Sequence, residues 1–310
     1  MKQLNLALMT AAMLVLAACQ KNSGHQSPET NSAVGANAAA AAACQPVYFS
    51  LMVDPSSGDS YLFKVAGSPS VGPISLTPVI GSAGTNRLQT CTGTPIRFAT
   101  GISFEPTSGV FYGTTGAAPS SPVNNILKFN DPNCVGFSPA VNPCGLVLNL
   151  SDIERDPASG RYYAINRGTT NPNNTVVNLS LPASPTVNCL PNVLPLNVYA
   201  RGLTFTLSGQ LYIMAVNGVS GRLMEINPGS GAIMLTYSYP GPITPSPGVN
   251  IPEMGLHYDS LCITRFITAN YDPVAAGTIV TDGIPSGLPG GPVYASMPGA
   301  MKPTVDFARP

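Results

Sequence analysis

Residues 101–112 read GISFEPTSGVFY, an apolar stretch, a Pro-Thr-Ser-Gly turn and a second apolar stretch. Because glycine supplies the positive φ that a tight reversal needs, this segment predicts a β-hairpin. The phrase recurs as DIERDPASGRYY at 152–163 and as GLTFTLSGQLY at 202–212, and in a degraded form as GLHYDSLCI at 255–263. A hairpin that returns about every 50 residues indicates a repeat architecture.

Each hairpin is followed by another short run of β-branched and aliphatic residues, and then by a further apolar stretch. These third-strand candidates occupy 126–129, 176–179, 222–226 and 278–280. Four strands in a repeat of about 40–50 residues are typical of a propeller blade. No helical period is sustained after residue 44, which favours an all-β fold.

The two ends of the repeat region predict how the blades close. Residues 45–53 read as a second strand that lacks a first, and a DPSSG turn and a third strand at 61–65 follow. DFARP at 306–310 resembles DIERD at 152–156 and reads as the missing first strand. The sequence therefore predicts a five-bladed β-propeller over residues 44–310, closed by its C-terminal strand so that no sheet edge stays open at the ring. The alternative is a β-sandwich or an open array, because the copies are weak and the loops are long.

The phrase DP-x-SG-x-LY resembles the inner hairpin of bacterial extracytoplasmic propellers of the NHL, quinoprotein-like and gluconolactonase-like kind. This resemblance covers about residues 44–310 and implies the propeller fold. Enzymes and binding proteins share the phrase, so the resemblance leaves the function open.

Charge and composition exclude one class of partner. Charged residues make up 9% of the chain, with 14 basic and 14 acidic residues, whereas an ordinary soluble domain has about 25%. Nucleic-acid binding through a basic surface is therefore not expected. Hydrophobic residues at 44% are enough to form a core.

The first 18 residues predict a signal peptide, since one Lys precedes an apolar run from Leu4 to Leu16 and small residues. The run is shorter than the roughly 20 residues of a transmembrane helix. Residues 16–19, LAAC, closely resemble the lipobox of bacterial lipoproteins, which implies cleavage before Cys19 and acylation of that Cys, with palmitate among the chains. The alternative is an ordinary secretory signal with an incidental Cys.

The membrane attachment predicted for this chain is therefore lipid at Cys19. Gln20 stands where the resemblance would place Asp in an inner-membrane lipoprotein, which favours the outer membrane, facing the periplasm or the cell surface. Residues 19–43 are rich in Ser, Asn, Gly and Ala and predict a low-complexity tether.

Six further cysteines remain, an even number that indicates disulfides outside the cytoplasm. They are Cys44, Cys91, Cys134, Cys144, Cys189 and Cys262. Cys134 and Cys144 are the best local candidates for a disulfide, because the nine residues between them form a loop that a bridge could fix.

Acidic side chains concentrate on one side of the predicted first strands, because alternate residues of a strand share a side. The candidate ligand-binding residues are Asp152, Glu154, Asp156, His257, Asp259 and Asp306. Carboxylates gathered at a propeller axis raise one another's pKa unless a cation or an arginine relieves them. This pattern favours a divalent cation such as calcium, or a polyhydroxylated ligand, at one mouth of the axis. The alternative is that these side chains are solvated, or pair with Arg97, Arg155, Arg201 and Arg309.

Two functions follow from these features. The first is a non-enzymatic binding or interaction module with a protein or carbohydrate partner, which is favoured because no nucleophile–base pair is evident. The second is a metal-assisted hydrolase or lactonase that acts on a sugar-like substrate through the axial acids and His257. Five-bladed glycosidases use carboxylates around such an axis.

Overall fold

The structure is a computed structural model of the chain. It describes residues 45–143, 147–167, 174–181, 185–193, 199–217, 220–239, 255–259, 265–272, 277–283, 293–296 and 304–310.

In these ranges, twenty strands form five four-stranded antiparallel sheets. In chain order the strands are β1 (Val47–Val53), β2 (Ser60–Ala66), β3 (Ser75–Pro78), β4 (Ala99–Glu105), β5 (Val110–Thr115), β6 (Asn125–Phe129), β7 (Gly136–Pro139), β8 (Leu150–Arg155), β9 (Tyr162–Arg167), β10 (Asn174–Ser180), β11 (Thr186–Val193), β12 (Tyr199–Phe205), β13 (Leu211–Asn217), β14 (Ser220–Ile226), β15 (Ile233–Tyr239), β16 (Leu256–Asp259), β17 (Arg265–Asp272), β18 (Gly277–Gly283), β19 (Val293–Ser296) and β20 (Thr304–Ala308). The sheets have the orders β20-β1-β2-β3, β4-β5-β6-β7, β8-β9-β10-β11, β12-β13-β14-β15 and β16-β17-β18-β19.

Three of the four hairpins predicted from the repeat are present, as the pairs β4–β5, β8–β9 and β12–β13. In the fourth, β16 pairs with β17, but the second strand predicted at 261–263 lies outside the described residues. Ser103 lies opposite Tyr112 in the β4–β5 pair, and Glu154 lies opposite Tyr163 in the β8–β9 pair. The turn glycine Gly160 has a φ of 73°, in the left-handed region that an L side chain rarely adopts. The third strands predicted from the sequence coincide with β6, β10, β14 and β18.

The last strand of the chain pairs with the first. In the antiparallel pair of β20 and β1, Phe307 lies opposite Ser50 and Asp306 lies opposite Leu51. The innermost strands β20, β4, β8, β12 and β16 are neighbours in that cyclic order. The prediction of an all-β, propeller-like fold is confirmed.

The hydrophobic core is divided among the faces between consecutive sheets. Five buried clusters occur in the described residues, and each draws side chains from two consecutive sheets, the last with the first. Neighbouring residues of one strand serve opposite faces, since Ile213 packs toward the β8–β11 sheet and Met214 toward the β16–β19 sheet. This is the side alternation that a β-strand imposes.

The disulfide predicted between Cys134 and Cys144 is wrong, because Cys134 is bonded to Cys91. The segment between β3 and β4 folds back over the loop between β6 and β7. Within it, the Gln89 backbone N–H donates to the carbonyl oxygen of Pro132, and the Val135 N–H donates to that of Gln89, both at 2.9 Å. These bonds bring Cys91 beside Cys134.

Several predicted features lie outside the described residues. They are the signal peptide, Cys19 and the tether, together with Cys44, Cys144 and Cys262. No helix in the described part of the chain has the length and hydrophobicity needed to cross a bilayer.

Candidate functional site

Three of the predicted acidic residues meet among the innermost strands. Asp152 and Glu154 lie on β8 and Asp306 lies on β20, and their exposed fractions are 0%, 3% and 0%. The backbones approach closely here, since a Cβ added to Gly101 would lie 2.5 Å from the Asp152 Cα. Small residues in the first strands are therefore required for the strands to converge.

Asp152 and Asp306 each bond the backbone of the next sheet. Asp306 Oδ2 accepts a hydrogen bond of 2.6 Å from the Ile102 N–H on β4. Asp152 Oδ2 accepts one from the Leu203 N–H on β12. Both carboxyls are thus acceptors that hold neighbouring sheets together.

The two aspartic acids also affect each other's ionisation. Burial, the charge of Asp152 and a hydrogen bond with the Asp152 carboxyl raise the pKa of Asp306 well above its ordinary value, against the opposing effect of the Ile102 N–H. This is the direction expected for a buried carboxyl beside another acid, because two carboxyls at close range oppose each other's ionisation.

Hydroxyl groups act in the same way at the junctions between β4 and β8 and between β12 and β16. Ser103 Oγ accepts a hydrogen bond of 3.1 Å from the Arg155 N–H, and Thr204 Oγ1 accepts one of 3.2 Å from the Tyr258 N–H. Together with the aspartic acids, they supply a side-chain acceptor at four consecutive junctions of the innermost strands. Sequence reasoning missed this role of Ser103 and Thr204, although both occupy the same alternating positions as the acids.

The local backbone of Asp152 is unusual. Its φ is 54°, and the β8–β9 register shifts between Ser151 and Ile153, which marks a β-bulge. Bulges re-aim side chains, and here the bulge accompanies a carboxyl that bonds Leu203. A non-glycine residue in this region costs about 1–2 kcal/mol, so the inter-sheet bond must offset that strain.

Glu154 is the third buried acid among the innermost strands. Burial raises its pKa well above the ordinary value and the nearby Asp152 adds to the rise, while Arg309 and a hydrogen bond with Ser103 oppose it. Its Oε2 atom is buried without a hydrogen-bond partner. Burial therefore favours the protonated form of Glu154.

His257 packs as an aromatic ring. It is 3% exposed and stacks on Tyr48, with ring centroids 5.5 Å apart and planes 26° apart. Burial, followed by the charge of Arg309, lowers its pKa to about 3. The imidazole is neutral under ordinary conditions and a weak proton acceptor.

Arg309 joins the ends of three innermost strands. From its position after β20, its Nη2 donates to the carbonyl oxygens of Phe205 on β12 and Tyr258 on β16. Arg97 was another predicted partner of the axial acids, but its Nε atom lies 3.3 Å from Asp59 Oδ1 instead. The other oxygen of Asp59, Oδ2, lies 3.4 Å from Arg87 Nη1.

Asp156 and Asp259 have different surroundings from the axial pair. Asp156 Oδ1 accepts a hydrogen bond of 2.9 Å from the Ala158 N–H, and its Oδ2 accepts one from the Ser159 hydroxyl. This carboxylate therefore caps the turn after β8. Asp259 is buried at the end of β16, opposite Arg265 in the register. The Asp-Pro-x-Ser pattern is a local signal for such a turn.

The positions of the side chains that could donate to a metal ion bear on the predicted calcium site. Within the described ranges, no three His, Cys, Asp or Glu side chains come together in an arrangement that could hold a metal ion. The calcium site stays a prediction.

Comparison with known proteins supports the fold and extends no further. No protein-family model matches the sequence, and no curated protein matches it. A solved exo-β-1,3-galactanase from Phanerochaete chrysosporium, in complex with β-1,3-galactotriose, is similar with a TM-score of 0.51 and 12% identity, over 83% of this chain and 64% of that chain.

Two further solved structures are similar. TolB from Acinetobacter baumannii has a TM-score of 0.46 and 9% identity, over 86% of this chain and 67% of that one. A gluconolactonase from Xanthomonas campestris has a TM-score of 0.44 and 10% identity, over 83% and 78%. At these identities the likeness concerns the fold alone, and proteins of varied function share it.

Proposed function

We propose that this chain is a lipid-anchored, extracytoplasmic binding or interaction module. The observation that carries the proposal is the use of the axial carboxyls, since Asp306 bonds Ile102 and Asp152 bonds Leu203 between sheets. Groups engaged in holding the sheets together are not available to a substrate. Recognition of a protein or carbohydrate partner then falls to the outer surface of the domain.

The proposed architecture is a five-bladed propeller closed by the C-terminal strand. The pairing of β20 with β1 supports it, as does the hydrophobic cluster that joins Phe307 and Tyr48 to Ile267 of the β16–β19 sheet. A closed ring leaves no inner sheet edge on which other chains could pair.

The proposed anchor is lipid on Cys19, at the outer membrane, and the LAAC sequence supports it. Stable anchoring takes two or three acyl chains, because each buried methylene contributes about 0.8 kcal/mol. In the Cys19→Ala variant we expect loss of membrane association and of processing, measured by cell fractionation and the mass of the mature chain. Cys44→Ala is the matched control and should behave as the wild type. Equal membrane association of both variants would contradict the anchor.

Measurement of enzymatic turnover distinguishes a binding module from an enzyme. The purified full chain is incubated with gluconolactone and with β-1,3-galactotriose, with and without calcium, and product is measured. We expect none. Product formation that Glu154→Gln abolishes, while a thermal melt shows that the variant is folded, would overturn the proposal.

The alternative is a metal-assisted hydrolase or lactonase acting on a sugar-like substrate at the axis. The observation that favours it is Glu154, a buried carboxyl with a raised pKa and an unbonded Oε2, because a carboxyl with a raised pKa is suited to act as a general acid. A ligand that binds only the folded state at a hundredfold excess over its Kd stabilises it by about 2.7 kcal/mol. A melting temperature that rises with millimolar calcium, and rises less in Asp152→Asn, would favour this alternative. A melting temperature that calcium does not change would favour the binding module.

A further inference from the structure

We propose that two copies of this chain associate by antiparallel pairing of β15, the outermost strand of the β12–β15 sheet. The proposal rests on the edges of the sheets and is independent of the axial residues.

Outer strands present unpaired N–H and C=O groups on which another strand can pair, and proteins usually protect them by shortness, proline or a covering segment. Three of the outer strands here, β3, β7 and β19, have four residues each, and two of those end in proline, Pro78 and Pro139. The strand β11 contains Pro191, which has no backbone N–H to donate. The beginning of β11 is covered, because Val141 accepts 2.8 Å from the Val187 N–H.

Among the described residues, the remaining outer strand, β15, has few of these protections. Its seven residues, IMLTYSY, include no proline, glycine or charged residue. Met234 is 57% exposed and Leu235 is 51% exposed. A register shift relative to β14 lies beside Met234, so Leu235–Tyr239 is the part in regular pairing. Five consecutive uncharged residues are enough for a strand to pair along its outer edge.

The strand is complementary to itself. In an antiparallel pair of identical strands, a residue on the twofold axis lies opposite its own copy. If that residue is Thr236, then Leu235 lies opposite Tyr237, an aromatic–aliphatic pair. If it is Tyr237, then Thr236 lies opposite Ser238, a hydroxyl pair. A cross-strand pair of Thr with Ser is stabilising, and without charged residues no like charges oppose each other. Leu and Tyr side chains placed opposite each other bury apolar surface.

A second copy is therefore the occupant that the strand fits. Twofold pairing is the commonest form of self-association, because the same patch serves both subunits and the contact closes on itself. The two β12–β15 sheets would become one continuous eight-stranded sheet.

The test is sedimentation of the detergent-solubilised full chain over a range of concentrations, with Thr236→Lys as the disrupting variant. We expect a monomer–dimer equilibrium in the wild type that Thr236→Lys weakens by about tenfold or more, because the two lysines then lie opposite each other in one register and diagonal to each other in the other. Thr77→Lys makes the same substitution at an exposed position of β3 and should leave the equilibrium unchanged. Thermal melts establish that both variants are folded.

A second measurement uses the wild type alone. The amides of residues 235–239 should exchange with deuterium more slowly in concentrated than in dilute samples. A monomer at every concentration, a dimer that Thr77→Lys weakens as much as Thr236→Lys does, or exchange in β15 that does not depend on concentration would each overturn the proposal.

Discussion

Asp306 Oδ2 accepts a hydrogen bond of 2.6 Å from the backbone N–H of Ile102, 204 positions earlier in the chain. Asp306 lies on β20, which also pairs with β1, so this strand connects two sheets at once. Its neighbour Phe307 is 1% exposed and packs against Tyr48 with ring centroids 4.8 Å apart.

Deletion of residues 303–310 should prevent folding, because it removes β20 and exposes the edge of β1. We expect loss of soluble, protease-resistant protein, measured by limited proteolysis and a thermal melt. Removal of the exposed residue Pro310 alone is the control and should have little effect. A soluble truncated chain with an unchanged melting temperature would show that the last strand is dispensable.

The Asp306→Asn variant should lose less stability than the wild type as the pH rises. An acid whose folded pKa is raised binds its proton more tightly in the folded state, so stability is full below the unfolded pKa of about 4 and is lost as pH rises toward the folded pKa. The Asn amide can still accept from Ile102 and donate to Asp152 without ionising. Urea unfolding at pH 5 and pH 8 should show a smaller difference in the variant than in the wild type.

Asp131→Asn is the control for that experiment and should leave the difference between pH 5 and pH 8 unchanged, because a lowered pKa acts only at pH values below this range. Hydrogen bonds with Ser82 and from the Asn133 backbone lower the pKa of Asp131. A lowered pKa gives stability that is present above the unfolded pKa and lost on acidification. If both variants respond to pH alike, the assignment of a raised pKa to Asp306 is wrong.

His257→Phe should reduce the loss of stability in acid. The folded pKa of His257 is about 3, and the unfolded value is about 6.5. The folded state therefore binds fewer protons between these values, and stability falls as pH decreases from about 6.5 toward 3. Phenylalanine can keep a ring against Tyr48 and does not titrate. The measurement is the free energy of unfolding at pH 4 and pH 7; an unchanged difference would contradict it.

Asp152→Gly separates backbone strain from hydrogen bonding. Glycine removes the strain of a φ of 54° but leaves the buried Leu203 N–H without its acceptor. An unsatisfied buried donor costs about 1–3 kcal/mol, a range that extends above the strain of about 1–2 kcal/mol that glycine relieves. We expect Asp152→Gly to be less stable than Asp152→Asn, which keeps an acceptor, in urea unfolding. The reverse order would show that strain dominates.

Removing the disulfide should lower stability without abolishing the fold. A bridge that closes a loop of 43 residues stabilises by about 4 kcal/mol in the chain-entropy account. Bonds from the Ser82 and Ala83 N–H groups to Asp131 and Asn133 still hold the segment in Cys91→Ser. Cys91→Ser and Cys134→Ser should lose similar amounts of unfolding free energy. If Cys134 were instead bonded to Cys144, Cys91→Ser would be as stable as the wild type.

The sequence by itself determined the local structure. The turn at Gly160 and the alternation of apolar residues on either side of it predict a hairpin, because both signals depend on residues adjacent in the chain. Repetition of that hairpin predicts an all-β propeller-like fold, since one blade cannot bury its faces alone. The concentration of acids on the first strands was also visible, because strand alternation assigns them to one side.

The tertiary structure decided which of those residues act together. Asp152 and Asp156 share a side of one strand region, yet the first bonds Leu203 in the next sheet and the second caps its own turn. Cys134 bonds Cys91 instead of a cysteine ten residues away, and Arg309 reaches the carbonyl oxygen of Phe205. Such contacts depend on how sheets pack and where loops fold back, and the free energy that selects them comes from burial across the whole chain and not from neighbouring residues.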